Sequence, residues 1–190
     1  MKYTLEELYK NSLDVIENFQ QHIEPRLWDK RILTIELAGE IGSLTHALLN
    51  KEGYKRRTPK RGAIQDECSD VIFIIIRLMA HYRLSFDQTE LDLLPQSLTV
   101  EDAAIELIKL VGLVAVYVQD DAMIPLSVKL LKMSKIVDWI ASYYNFSLDE
   151  AYLSELRICR IYQAKTLAKL KGKSMLHWFK PLKIGKHHYE

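Results

Sequence analysis

The chain has 190 residues, 48% hydrophobic and 27% charged, the balance of an ordinary globular protein. A formal net charge of +1 supplies no global field that would draw it to nucleic acid or to an anionic bilayer. No apolar run approaches the roughly 20 residues of a membrane span, and Met1 is followed by Lys2 and an amphipathic segment rather than the apolar core of a signal peptide. The two cysteines, Cys68 and Cys159, form neither a disulfide framework nor a paired-ligand spacing, which fits a reducing cytoplasm.

Only 7 glycines and 5 prolines punctuate the sequence, and apolar residues recur every three or four positions with no strand-like alternation. An all-α protein is expected. Thr4-Leu5-Glu6-Glu7 reads as a capping box, and Leu5, Leu8, Leu13, Ile16 and Phe19 form the stripe of a first helix ending near Ile23, before Pro25. A connector carrying Trp28 leads to a second helix over about 29–50. Its core face is Leu33, Leu37, Ile41, Leu44 and Leu48, and Glu36, Glu40, Ser43 and Ala47 share the adjoining face. Residues 51–61 read as a loop with Gly53, Pro59 and the basic side chains Lys55, Arg56, Arg57, Lys60 and Arg61.

A third helix is expected over about 62–83. It opens with Glu67 and Asp70 one turn apart, and Arg77 and His81 continue that side. The run Val71-Ile72-Phe73-Ile74-Ile75-Ile76 follows the acids directly. A turn-rich segment with Pro95 comes next, with room for a short helix at 87–94. Thr99-Val100-Glu101-Asp102 caps a fourth helix that Asp120-Asp121 and Pro125 end, a fifth spans about 126–144, and Ser147 to Glu150 cap a sixth reaching about Leu170. From Lys171 the tail is basic and aromatic and reads as irregular.

Ionised carboxylates at the mouth of so apolar a helix need an explanation, because an unpaired buried charge costs several kcal/mol. Lys or Arg partners and a solvated rim are two answers. A hard divalent cation is the third: carboxylates from two helices can converge on magnesium, which takes its remaining ligands from water and substrate phosphates. Arg77 is expected to pair with Asp70 or Glu67. His46 and His81 read as surface or packing residues, Cys68 as a small core residue, and Trp28 or Tyr54 as core cover or a stacking surface for a base.

The segment Gly39-Glu40-Ile41-Gly42-Ser43-Leu44, a basic loop, then Glu67-Cys68-Ser69-Asp70-Val71-Ile72 resembles the MazG-like family of all-α nucleoside triphosphate pyrophosphohydrolases, relatives of the dimeric dUTPases and dCTP pyrophosphatase. The resemblance covers about 32–82. It implies a MazG-like helical bundle that binds Mg2+, with Mn2+ as a substitute, and cleaves a (d)NTP to (d)NMP and pyrophosphate. It also implies a homodimer or higher assembly, with a nucleotide as the partner molecule. The metal set carried over is Glu36, Glu40, Glu67 and Asp70, with Glu40 and Glu67 as the catalytic pair. Lys55, Arg57, Lys60 and Arg61 are placed on the substrate phosphates, with Arg56 beside them, against the alternative of a solvated linker.

The family pattern is ExxE on one helix and ExxD on the next, and this chain departs from it. Ser43 stands where the second glutamate of the first motif falls, while Glu36 is extra, one turn upstream. Either Glu36 replaces the lost ligand, or Ser43 offers a hydroxyl, or the protein is a catalytically degraded relative that binds nucleotide or serves as an assembly module.

The second half can be laid on the first. Glu106 to Gly112 match Glu36 to Gly42, and Lys132 to Val137 match Glu67 to Ile72. In that alignment Leu110 stands for Glu40, and Lys132 and Lys135 for Glu67 and Asp70. This suggests a tandem pseudo-duplication of helical hairpins, with an acidic half at 1–96, a degenerate half at 97–170 packed on it as one domain, and a basic tail at 171–190. The tail, with Trp178 and Phe179, is expected to dock on protein rather than RNA.

Overall fold

A computed structural model describes residues 3–23, 29–55, 63–86, 94–95 and 97–178, the stretch 171–178 as backbone only. The helices are α1 (Leu5–Asn18), α2 (Lys30–Lys51), α3 (Ala63–Tyr82), α4 (Val100–Gln119), α5 (Met123–Tyr143) and α6 (Leu148–Trp178). α1 runs on into a π-helical turn, Phe19–Ile23. No strand occurs among the described residues, and the protein is an all-helical bundle.

The ends of the helices are set by local chemistry. The Glu7 backbone N–H donates to Thr4 Oγ1 at 3.2 Å, and the Thr4 N–H donates back to Glu7 Oε2 at 2.8 Å. Thr99 and Asp102 repeat that box at α4. Asp29 caps α2 by accepting from the Arg31 N–H at 2.8 Å. Such caps stabilise a helix by about 1 kcal/mol each, because they satisfy donors that the helix itself cannot. α2 leaves its last turn through Gly53, whose φ of 81° lies in the left-handed region where a side chain is disfavoured. Pro125 does not delay α5: it lies in the first turn of a helix that begins at Met123, where no intrahelical donor is lost.

α2 packs on α3 and α4, and α5 packs on the same two, so these four helices form the central bundle. α1 and α6 lie together against α3. One apolar core joins Leu33, Leu37 and Leu44 of α2, Ile72, Ile75 and Ile76 of α3, Leu107 and Val114 of α4, Leu130 and Ile140 of α5, and Leu8 and Leu156 of the outer pair. Each of these leucines or isoleucines contributes about 1.5–3 kcal/mol by leaving water.

The outer pair is tied to itself by polar contacts. Tyr152, fully buried, donates to Ser12 Oγ at 3.1 Å, and Gln163 Nε2 donates to the Val15 carbonyl at 2.8 Å. Arg160 forks onto Asp14 with two 2.8 Å bonds.

The expectation that the chain turns irregular at Lys171 is corrected: α6 continues to Trp178, since 171–178 contains no proline and its one glycine, Gly172, is tolerated within the helix. Among the described residues one helix, α2, is long and apolar enough to cross a membrane by length and composition. It also carries Glu36 and Glu40, which frame the site below.

Candidate metal centre

Glu67 and Asp70 are three residues apart on the first two turns of α3 and so project side by side. Glu40 reaches them from α2, whose buried face, Leu37, Ile41 and Leu44, fixes its rotation against α3. One carboxylate oxygen from each of Glu40, Glu67 and Asp70 lies within 4.8 Å of the other two, and all three side chains are half-buried. The structure thus brings Glu40, Glu67 and Asp70 together across α2 and α3.

The electrostatics follow from that crowding. Burial and the Glu40 charge, then Glu155, Glu67 and Asp66, push the Asp70 carboxyl up to about 7. Burial and the neighbouring Glu36 raise Glu40. Glu155 on α6 is raised by burial and by Asp66. Close like charges in a poorly solvated place disfavour ionisation, and a cation would reverse the effect.

The donor set suits a hard ion. Three carboxylates offer oxygen alone, which magnesium and manganese accept and which a soft-ligand site does not provide. With octahedral magnesium bonds of about 2.1 Å, opposite oxygens lie about 4.2 Å apart and adjacent ones about 3.0 Å, so three oxygens within 4.8 Å of one another would have to draw in by rotamer changes to share one ion. The one thiol at the margin, Cys159, donates to Glu155 Oε1 at 3.9 Å and is pushed up to about 11 by burial and the acids, so it stays protonated.

Glu36 is placed differently. Arg77, buried on α3, donates from Nη1 to Glu36 Oε2 at 3.0 Å and lays its guanidinium 5.5 Å from the centre of the Phe73 ring. The expected pairing of Arg77 with Asp70 or Glu67 is corrected by this contact: seven residues beyond Asp70, Arg77 lies level with the preceding turn of the antiparallel α2, where Glu36 sits, rather than with Glu40. Glu36 therefore borders the three-acid cluster without joining it. Ser43 is exposed on the outer flank of α2.

Of the basic loop, Lys55 is described and exposed, while Arg56, Arg57, Lys60 and Arg61 lie outside the described residues, as do Trp28 and most of 87–94. Tyr54 is 65% exposed and donates to Glu101 at 2.7 Å, so it covers no core. His46 is half-buried, His81 sets its ring edge against Tyr82, and Cys68 is fully buried.

Glu155 is the acid that sequence spacing missed. Its signal is an acidic residue one turn after buried Tyr152 and beside buried Leu156, on the flank of α6 that meets α3. No protein-family model, curated protein or solved structure matches this chain.

Proposed function

We propose that Glu40, Glu67 and Asp70 hold a divalent cation, Mg2+ or its substitute Mn2+, and that the protein is a nucleoside triphosphate pyrophosphohydrolase of the MazG-like kind. The observation that carries this reading is the convergence of three half-buried carboxylates from two helices within 4.8 Å. The bound ion would neutralise phosphate oxygens and sharpen the acidity of a water. Glu40 or Glu67 would take the proton from a water attacking the α-phosphorus. The α,β-phosphoanhydride bond then breaks, and pyrophosphate leaves with its electron pair. Lys55, with Arg57, Lys60 and Arg61 on the same loop in sequence, supplies positive charge for the phosphates.

A second reading is favoured by Arg77 and Ser43. Glu36 is engaged by a guanidinium, and Ser43 carries no charge, so the fourth carboxylate of the family pattern has no replacement on α2. In that reading the protein binds nucleotide or serves assembly without turning substrate over.

Calorimetry with Mg2+ and a pyrophosphate-release assay over a panel of ribo-, deoxy- and modified triphosphates separate the two. Turnover lost in Glu67→Gln supports the enzyme. Binding of metal and nucleotide without turnover supports the second reading. Absence of both turnover and Mg2+ or Mn2+ binding refutes the enzyme.

A further inference from the structure

α1 and α6 are clasped to each other at several levels. Besides the Tyr152, Gln163 and Arg160 contacts to α1 described above, the Tyr3 N–H donates to Asp149 Oδ2 at 3.1 Å, and Arg160 Nη2 donates to the Asn11 carbonyl at 2.7 Å. The pair rests on α3, and α6 touches α5 lightly. Its seam with α3 is aromatic: the centre of the Phe73 ring lies 6.3 Å from that of Phe19 and 6.5 Å from that of Tyr152.

The same seam carries an acid from each side. The residues that follow Tyr152 on α6 face those that precede Phe73 on α3. Glu155 lies three residues beyond Tyr152 and Asp70 three before Phe73, so each stands about 4.5 Å along its helix from the ring contact, and the two end level. The charges agree with that register. After burial and Glu40, Glu155 is the next cause of the raised Asp70 carboxyl, and Glu155 itself is raised by burial and then by Asp66, a turn earlier on α3. Burial, Glu155 and then Asp70 push up Cys159, on the next turn of α6.

The arginines of these helices are engaged elsewhere. Arg77 of α3 goes to Glu36, and Arg160 of α6 goes to Asp14. Glu40, Asp70 and Glu155 stand half-buried on three different helices, and none of them forms an ion pair among the described residues. Fastening α6 to α3 calls for a lysine or an apolar residue at position 155, as in the seam between α4 and α5, where Lys132 meets Glu106. A glutamate there sets like charge against like.

We propose, resting on the cation reading above, that Glu155 completes the metal centre from α6 and that the bound ion ties the α1/α6 pair to α3. Glu155 is not one of the acids within 4.8 Å of one another, so it engages the ion through a water that magnesium retains. Without the ion, Glu155 and the acids of α3 repel across the seam. With it, the sign of that interaction reverses. Occupancy of the site and docking of the outer helices are then one linked equilibrium, and α1, which carries no ligand, follows because α6 holds it.

The full chain is compared by hydrogen exchange in chelator and in saturating Mg2+, with calorimetry for affinity and thermal melting for stability. Mg2+ should slow exchange several-fold in α1 and in the 150–165 stretch of α6, as well as in α2 and α3. Glu155→Gln should weaken Mg2+ binding about tenfold. At saturating Mg2+ it should lose the slowing in α1 and α6 and keep it in α2 and α3. In chelator it should melt higher than wild type, since a repulsion has been removed. A variant more stable without metal and weaker toward metal is a pair of signs that misfolding does not produce. Glu17→Gln, at an exposed acid of α1, should change none of these quantities. Mg2+ binding that leaves exchange in α6 unaltered, or an affinity indifferent to Glu155→Gln, overturns this proposal and spares the metal centre. A wild type that binds neither Mg2+ nor Mn2+ overturns both.

Discussion

Replacing Asp70 with asparagine should stabilise the metal-free protein at neutral pH while abolishing its response to magnesium. Asp70 is ordinarily half-ionised at 3.8 and in the fold at about 7. Between those values the folded state holds a proton that the unfolded state has released, so stability falls as pH rises from about 4 to 7 and stays low above that. The full interval corresponds to about 4 kcal/mol, at 1.36 kcal/mol for each tenfold change. Solvent reaches part of the group, and Glu40 and Glu155 can take up protons in its place, so about 1–2 kcal/mol is the reasonable magnitude. In a chain of this length that raises the midpoint of Asp70→Asn by about 3–6 °C at pH 8 and by almost nothing near pH 4. Millimolar Mg2+ should raise the wild-type midpoint at pH 8 and leave that of Asp70→Asn unmoved. Differential scanning fluorimetry in chelator and in Mg2+ at both pH values reads all four quantities. A variant less stable than wild type at pH 8, or a wild type indifferent to both metal and pH, would refute the account of the acids as a crowded, cation-ready cluster.

Arg77→Ala empties a buried space beside the half-buried Glu36 carboxylate and removes the guanidinium from the Phe73 ring, so chemical denaturation should show a loss of about 1–3 kcal/mol. Ser43→Glu adds a carboxylate one turn from Glu40 on an exposed flank; it should tighten magnesium binding several-fold by calorimetry, and an unchanged affinity would place that position outside the site. Tyr152→Phe removes the hydroxyl that donates to Ser12 in a fully buried setting and should cost about 1–1.5 kcal/mol in urea, with no change in metal binding.

The helices were legible because the signals that define them are local. Thr4 with Glu7 and Thr99 with Asp102 announce two starts, and the three- and four-residue apolar spacing fixes which side of each helix enters the core. Glu40, Glu67 and Asp70 were legible for the same reason: rotating α2 and α3 so that Leu37, Ile41, Val71 and Ile75 are buried leaves the acids at the seam. Three features were not legible. Arg77 choosing Glu36 depends on how far α3 slides along α2, and no local pattern encodes that offset. Glu155 enters from a helix more than eighty residues downstream, through a contact between α3 and α6 that sequence spacing does not reveal. The continuation of α6 past Lys171 rests on weak propensity in a basic stretch, which also reads as a polar tail.

The second hairpin provides an internal comparison that bears on what the acids are for. α4 and α5 pack against each other and into the same core, yet at the aligned places they carry Glu106, Leu110, Lys132 and Lys135. There Lys132 donates to Glu106 at 2.9 Å and Lys109 donates at 2.8 Å, and the two lysines hold the Glu106 carboxyl below its ordinary range. Leu110 is buried. This helix pair therefore settles its polar seam with internal ion pairs and a leucine, and it folds without a cluster of acids. Across α2 and α3 the sign is opposite: Glu40 and Asp70 are both raised, and Asp70 is raised in part by Glu40. Carboxylates raised by burial and by neighbouring acids work against the folded state at neutral pH, whereas salt bridges or apolar residues at those positions would favour it. Groups that oppose stability where a compatible alternative exists a few helices away are better explained by what they bind than by what they hold together.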